Sequence, residues 1–331
     1  MTVLITGGLG FVGSHLAARL QEAGKRVYIV DSVSDYYSTD LKRNRRRELL
    51  TSIPDSQVFE INICDRSSLK QILQNVSPKT VIHLAAQAGV RLPISKLHNY
   101  SESNLMGFSN VLQSVIEVET PNFLYASSSS VYGNSTEIPY KEKAMGLMPI
   151  SFYGATKLSN EFLAHAAVIG SKTRARGIRL FTVYGPWGRP DMAYFRLVTS
   201  LLTDYQFHLF GDGSVKRDFT YIDDTVMGIE LLTKQLEDKP NGYSDIVNLG
   251  GGRPHSINDL IYEFEKVTKR KIQFINEENS PGDVRVTFAD SAYLEHLTGF
   301  VPSISLTEGA KRFFDWASTM EVRSKLSSWV G

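Results

Sequence analysis

The feature that most restricts the fold lies at the N-terminus. Thr2-Val3-Leu4-Ile5 is a short apolar run, as expected of a strand buried on both faces. Thr6-Gly7-Gly8-Leu9-Gly10-Phe11-Val12-Gly13 follows, and then Leu16, Leu20 and Ala23 continue as a helix. The glycines at 7, 10 and 13 permit a tight turn, close approach to a pyrophosphate and close helix–strand packing, while the helix N-terminus directs amides at phosphate charge. Alone, such a triplet is weak. Between a strand and a helix, with a second strand Arg26-Val27-Tyr28-Ile29-Val30 ending in Asp31, it is a strong dinucleotide-binding signature. Asp31 lies 18 positions after Gly13. A carboxylate there would accept from both ribose hydroxyls and repel a 2′-phosphate, so NAD is expected over NADP. The other reading of Asp31 is a turn cap.

The rest of the first half repeats the strand–helix alternation. Val58-Phe59-Glu60-Ile61 is predicted as the third strand, Arg66 to Asn75 as a helix, and Thr80-Val81-Ile82-His83-Leu84 as the fourth strand. The small residues Ala85, Ala86, Ala88 and Gly89 after it would let a cofactor pass close to the backbone. A helix through Leu105, Phe108, Leu112 and Val115 carries Asn104, either a site contact or a surface amide. Phe123-Leu124-Tyr125-Ala126 is the fifth strand and Ile178-Arg179-Leu180-Phe181-Thr182-Val183 the sixth. Six strands alternating with helices predict an α/β fold with a Rossmann-type doubly wound parallel sheet. After Val183 the pattern is less regular, beginning with the turn-rich Tyr184-Gly185-Pro186-Trp187-Gly188-Arg189-Pro190-Asp191-Met192. The expected division is residues 1–183 for NAD and residues 184–331 for a smaller mixed α/β lobe that binds substrate, with some later chain returning to the first.

Chemistry is concentrated between Ser127 and Lys157. The fifth strand runs into Ser127-Ser128-Ser129-Ser130-Val131-Tyr132-Gly133, and strand ends are where an open α/β sheet places its ligands. Tyr153-Gly154-Ala155-Thr156-Lys157 then sets a phenol and an ammonium four apart, on one face if the segment is helical. Leu158, Phe162, Ala166 and Ile169 recur at near-helical intervals and support that helix. A neighbouring ammonium is expected to lower a phenol's pKa and give a base for an alcohol. Taken alone, a Tyr-x-x-x-Lys pair is ordinarily a solvated neighbour pair. It gains weight here from the serines and the dinucleotide turn.

Composition excludes several alternatives. With 331 residues, 42% hydrophobic, 21% charged and a net charge of +1, the chain makes no case for nucleic acid or a membrane surface. The basic run Lys42-Arg43-Asn44-Arg45-Arg46-Arg47 is expected to be a solvated helix face. The single cysteine, Cys64, excludes an internal disulfide. No apolar run approaches a spanning helix, and no basic-then-apolar leader precedes the first strand, so a cytoplasmic protein is expected. No metal is expected.

These residues resemble the extended short-chain dehydrogenase/reductase superfamily and, within it, the UDP-glucuronic acid 4-epimerases. The resemblance covers nearly the whole chain. It rests on Gly7 to Gly13, the serine run and Tyr153 to Lys157, and more narrowly on Asp35-Tyr36-Tyr37, Ala85 to Arg91, Val183 to Ala193, Asp218 to Asp224 and Pro281-Gly282-Asp283-Val284. It implies tightly bound NAD, a UDP-sugar in the cleft between lobes, a homodimer, and a place in making polysaccharide precursors. It makes Tyr153 the acid and base, Lys157 its tuner and a ribose ligand, and Ser128 and Ser130 partners of the sugar. Gly7, Gly10, Phe11, Val12, Gly13, Asp31, Leu84, Ala85, Ala86, Asn104, Tyr153 and Lys157 would hold NAD, with Asn62 and Ile63 beside the adenine. The family usually has Asp where Asn62 stands, so an altered adenine contact is expected. Gln87, Arg91, Ser129, Thr182, Arg189, Phe210, Arg217 and Asp283 would complete the substrate site.

The implied reaction oxidises C4 of UDP-glucuronic acid, turns the 4-keto sugar over and reduces its other face, giving UDP-galacturonic acid. The 4-keto uronate is a β-keto acid and can lose carbon dioxide when the bond to its carboxylate lines up with the carbonyl π system, so the carboxylate must be held out of that alignment; Arg189 is the candidate grip. Related decarboxylases carry a Glu where this chain has Ser130, and 4,6-dehydratases an Asp-Glu pair where it has Ser129-Ser130. A neutral UDP-hexose epimerase, a UDP-glucuronate decarboxylase and a non-catalytic NAD-binding protein are the alternatives.

Overall fold

In the computed structural model, which describes residues 1–90, 92–278 and 284–330, the N-terminal apolar run forms strand β1 (Thr2–Thr6), with Val3, Leu4 and Ile5 fully buried. It is followed in chain order by β2 (Arg26–Asp31), β3 (Val58–Glu60), β4 (Thr80–His83), β5 (Asn122–Ser128) and β6 (Arg174–Leu180). The later strands are β7 (Thr182–Tyr184), β8 (Phe207–Phe210), β9 (Lys216–Tyr221), β10 (Ser244–Leu249), β11 (Pro254–Ser256) and β12 (Phe274–Glu277). Seven of these form one parallel sheet in the order β10-β6-β5-β4-β1-β2-β3. The winding direction reverses beside β1, where β1 neighbours both β2 and β4, and a crevice opens at the carboxyl ends of these strands. Helices such as Phe11–Glu22 and Phe108–Glu117 cover the sheet with buried apolar faces.

The sheet has one strand more than the six expected, because β10 returns to pair with β6, placing Val247 opposite Ile178. The sixth strand is also displaced from the predicted Ile178–Val183. It starts at Arg174 and contains two buried arginines, Arg176 and Arg179. Arg176 forms a bidentate pair with Asp245, and Arg179 pairs with Glu161. An apolar-run criterion passes over a strand whose charges are met by partners from other elements. Thr182 and Val183 leave the large sheet. With Tyr184 they form β7, parallel to β9 in a separate sheet of order β11-β9-β7. A two-stranded sheet, β12-β8, is separate again.

Two further expectations are corrected. The basic run lies on helix Thr39–Leu49, but it is not a solvated face: Arg45 is fully buried and Lys42 is 5% exposed, while Arg43 and Arg47 remain in solvent. Lys42 Nζ donates to the Ser34 carbonyl. Helix Phe152–Val168 forms as predicted, but the apolar positions used to predict it largely face outward, with Phe162 66% and Ile169 67% exposed. Its buried side carries Thr156, Lys157, Asn160 and Glu161, because that side faces the polar ends of β5 and β6.

Candidate active site

The cofactor crevice begins at the Gly-rich turn. Gly7 has φ +72°, and a Cβ there would stand 2.6 Å from the Ala85 nitrogen, so the turn and the segment after β4 touch at backbone level. At Gly13 a Cβ would lie 2.1 Å from the Gly7 carbonyl oxygen. The helix starting at Phe11 has Gly10 as its cap, no side-chain cap and no acidic residue in its first turn. The amides of Phe11, Val12 and Gly13 are thus available to an anion. Asp31 closes β2, and its carboxylate accepts from the amides of Leu9 (3.0 Å) and Val33 (2.8 Å). It is thereby fixed at the mouth of the turn with lone pairs to spare for vicinal hydroxyls. An anion cradle beside an anchored carboxylate fits the diphosphate and ribose of NAD.

The floor of the crevice follows from β4 and its neighbours. Leu84 donates to the Thr6 carbonyl and Ala85 to the Thr6 hydroxyl, which also bonds His83. Asn104 sits in a π-helical stretch, Ser101–Gly107, and is buried. Its amide closes a pair with the Gln87 backbone (2.8 and 3.2 Å) and donates to Thr156 (3.2 Å). Asn104 therefore fixes the segment after β4 against the Tyr153 helix. Its spacing alone did not distinguish this from a surface amide.

The hydroxyl, phenol and ammonium converge as expected. Ser151 caps helix Phe152–Val168, so Tyr153 and Lys157 share its first turns beside the end of β5. Ser128 is hydrogen-bonded to Tyr153, and its Oγ lies 3.1 Å from the Ser130 Oγ and accepts from the Ser130 amide. Lys157 Nζ donates to the Ala126 carbonyl (2.8 Å) and lies 5.8 Å from the centroid of the Tyr153 ring. The electrostatics differ from the expectation. Burial raises the Tyr153 phenol above its ordinary value, and the charge of Arg189 and the bond to Ser128 act against this. Burial also lowers Lys157, to about 8. Arg189, on the loop after β7, is therefore a second cation that bears on the phenol, besides the Lys157 ammonium over its ring.

Arg189 is itself held. Its Nε and Nη2 donate to Asp191, Tyr36 donates to the same carboxylate (3.3 Å), and the guanidinium lies 5.9 Å from the Tyr36 ring centroid. The tyrosines of Asp35-Tyr36-Tyr37 thus belong to the site wall, and Tyr37 accepts from Arg45. Beneath the serines, Ser127 donates to Glu161, which pairs with Arg179; Arg179 also bonds Tyr132, which donates to Asn248. Glu161, Arg179 and Asn248 were not recognised in the sequence, because they act only through contacts between distant elements. Thr182 lies on β7, exposed Phe210 ends β8, and Arg217 on β9 donates to the Val284 carbonyl (2.7 Å). Arg91 and Asp283 lie outside the described residues.

A family model described as the NAD dependent epimerase/dehydratase family matches residues 3–250. The chain belongs to this family. A probable UDP-glucuronate 4-epimerase of Rhizobium meliloti is 36% identical over 96% of this chain and 96% of its own length. UDP-glucuronate 4-epimerase 2 of Arabidopsis thaliana is 39% identical over 96% of this chain and 75% of its own. Among solved structures, UDP-glucuronic acid 4-epimerase from Bacillus cereus, in complex with UDP-glucuronic acid and NAD, superposes with a TM-score of 0.86. It is 32% identical and covers 96% of this chain and 98% of that one. As a member of the epimerase/dehydratase family the chain is an NAD-dependent enzyme with this Rossmann-type fold. Asn62 Oδ1 accepts from the Cys64 amide (2.9 Å). No helix among the described residues is long and apolar enough to cross a membrane.

Proposed function

We propose that the protein interconverts UDP-glucuronic acid and UDP-galacturonic acid by epimerisation at C4, with NAD held in the crevice beside β1. The observation that carries this reading is a single constellation: Ser128, Tyr153 and Lys157 at the end of β5, with the charge of Arg189 reaching the same phenol. Bound NAD would supply the oxidant that takes up the C4 electrons and returns them to the opposite face, so no net oxidation occurs. Tyr153 accepts the C4 hydroxyl proton and later gives it back, and Ser128 orients that oxygen. Lys157 would hold the cofactor ribose. Asp191 occupies the Nε–Nη2 edge of Arg189, so a substrate carboxylate would meet the Nη1–Nη2 edge. That grip keeps the carboxylate out of the plane from which carbon dioxide is lost. Ser129 and Ser130 form the turn after β5, so no carboxylate stands there to serve decarboxylation or dehydration. The substrate's nucleotide would run from this point toward Phe210 and Arg217, between the Rossmann half and the chain from about residue 184.

Proton NMR of the purified protein with UDP-glucuronic acid and no added cofactor tests this directly. UDP-galacturonic acid without a pentose is the expected result; an unchanged spectrum with NAD added overturns it. Arg189→Ala should lower kcat/KM for UDP-glucuronic acid about 10- to 100-fold, the worth of a charged hydrogen bond, and release a UDP-pentose. Unaltered turnover would instead favour a neutral UDP-hexose.

The outward apolar stripe of helix Phe152–Val168 supports a homodimer. Phe162, Leu163 and Ile169 are exposed there, and Met106 is exposed on the neighbouring helical segment. Burying such a stripe against its copy is the ordinary reason for one. Phe162→Glu is expected to yield monomers in sedimentation velocity, and a wild-type protein that is already monomeric would refute the dimer.

A further inference from the structure

The loop that carries Arg189 is docked on the cofactor half through three consecutive carbonyls. His15 Nε2 donates to the Pro186 carbonyl (2.9 Å), Arg45 Nε to that of Trp187 (2.9 Å) and Arg45 Nη2 to that of Gly188 (3.1 Å). The third nitrogen of Arg45, Nη1, donates to the Leu9 carbonyl (3.2 Å) and the Tyr37 hydroxyl (2.6 Å). All three guanidinium nitrogens are thus used, with no exposure to solvent. Burial holds His15 down at about 4, so it is a neutral donor with its proton on Nε2. Trp187 between these contacts has φ +60°, a conformation that a bulky residue adopts only when its surroundings impose it.

We propose that Arg45 and His15 are positioning residues for Arg189, and that they make the carboxylate grip an extension of the cofactor-binding turn. Resting on the carboxylate reading above, this explains why a basic helix face is turned inward. A buried guanidinium is a poor way to stabilise a core, since apolar residues of similar volume do as well or better. It is a good way to fix several carbonyls of a strained loop in one plane. The loop then places Arg189 between Asp191 and Tyr36, within reach of Tyr153. Leu9 links the two functions: its amide donates to Asp31 at the ribose position and its carbonyl accepts from Arg45. A loosened loop lets the 4-keto uronate turn until its C5–C6 bond lines up with the carbonyl π system. The C5–C6 bond then breaks, its electron pair enters the C4–C5 enolate, carbon dioxide departs and C5 takes up a proton. The resulting 4-keto pentose is reduced at C4 by the electrons already taken from the substrate, giving a UDP-pentose.

The test is the product ratio, which a purely structural role would not move. Arg45→Lys, which keeps the charge but not the fork, and Arg45→Met should each raise the UDP-pentose to UDP-galacturonate ratio about tenfold or more in an NMR time course, with Met the larger. Should the Arg45 variants fail to fold, His15→Phe and His15→Gln replace them. Phe keeps the ring packed on Phe11 and loses the donor, and Gln restores a donor to Pro186. His15→Phe should raise the ratio, and His15→Gln should return it toward that of the parent. Folded, NAD-bound variants with the parental ratio overturn the proposal. Arg189→Ala, run alongside, separates the two readings. If it raises the ratio while folded Arg45 and His15 variants do not, only the docking proposal fails; if it leaves the ratio unchanged, the carboxylate grip fails and the docking proposal with it.

Discussion

Tyr153→Phe should reduce epimerisation of UDP-glucuronic acid by about a thousandfold or more while the protein stays folded and keeps its NAD. The phenol is the group placed to exchange a proton with the C4 oxygen, and loss of a general acid–base group removes about two to four orders of magnitude. Ser128 and Lys157 do not replace it: a serine hydroxyl is too weak a base, and Lys157 is turned to the Ala126 carbonyl. Because burial raises the phenol's pKa, the proton-accepting phenolate is the minor form near neutrality. Its fraction grows with pH below that pKa, so kcat/KM of the parent should climb as pH rises, and the residual rate of the Phe variant should lack that slope. NMR turnover assays across pH check both, with NAD released on denaturation as the control. A Phe variant within tenfold of the parent would remove Tyr153 from the chemistry.

Arg179→Met is expected to lower stability by about 3–5 kcal/mol, the larger structural effect available near the site. Glu161 is buried with 6% of its side chain exposed, and its two oxygens accept from Arg179 Nε (2.9 Å) and Nη2 (2.8 Å). Removing the guanidinium leaves a buried carboxylate whose remaining hydrogen-bond partner among the described residues is the Ser127 hydroxyl. The loss should therefore exceed that of the double variant Arg179→Met with Glu161→Leu, which leaves neither charge behind. Urea unfolding of both would show the difference. A single-variant loss below about 1 kcal/mol would mean that water or a shifted Glu161 relieves the charge. Ser127 precedes Ser128, proposed above to orient the C4 oxygen, so the single variant should also lose activity beyond its change in stability.

Much of this was legible in the sequence. The Gly-rich turn, Asp31 and the alternation of apolar strands with helices are local patterns. A strand buried on both faces has to be apolar, and a turn that touches Ala85 at backbone level has to be glycine. The Tyr153–Lys157 spacing and the serines at a strand end were likewise readable, since helix and strand geometry alone bring them to one place.

What escaped the sequence was the fate of charged and apolar groups whose partners are far along the chain. Arg176 hid the start of β6, because its carboxylate partner comes from residue 245. Arg45 looked solvated, because the carbonyls that receive it are at 187 and 188. Phe162 and Ile169 marked the helix by their spacing, yet they face outward, because the inner side of their helix is reserved for Lys157 and Glu161. Arg189, 36 positions from Tyr153, also bears on the phenol, and no helical spacing could have shown it. Local periodicity therefore determined the sheet and the place of the chemistry. Only tertiary packing decided which charges are buried against which partners, because the energy of a buried charge depends on groups that no window of neighbouring residues contains.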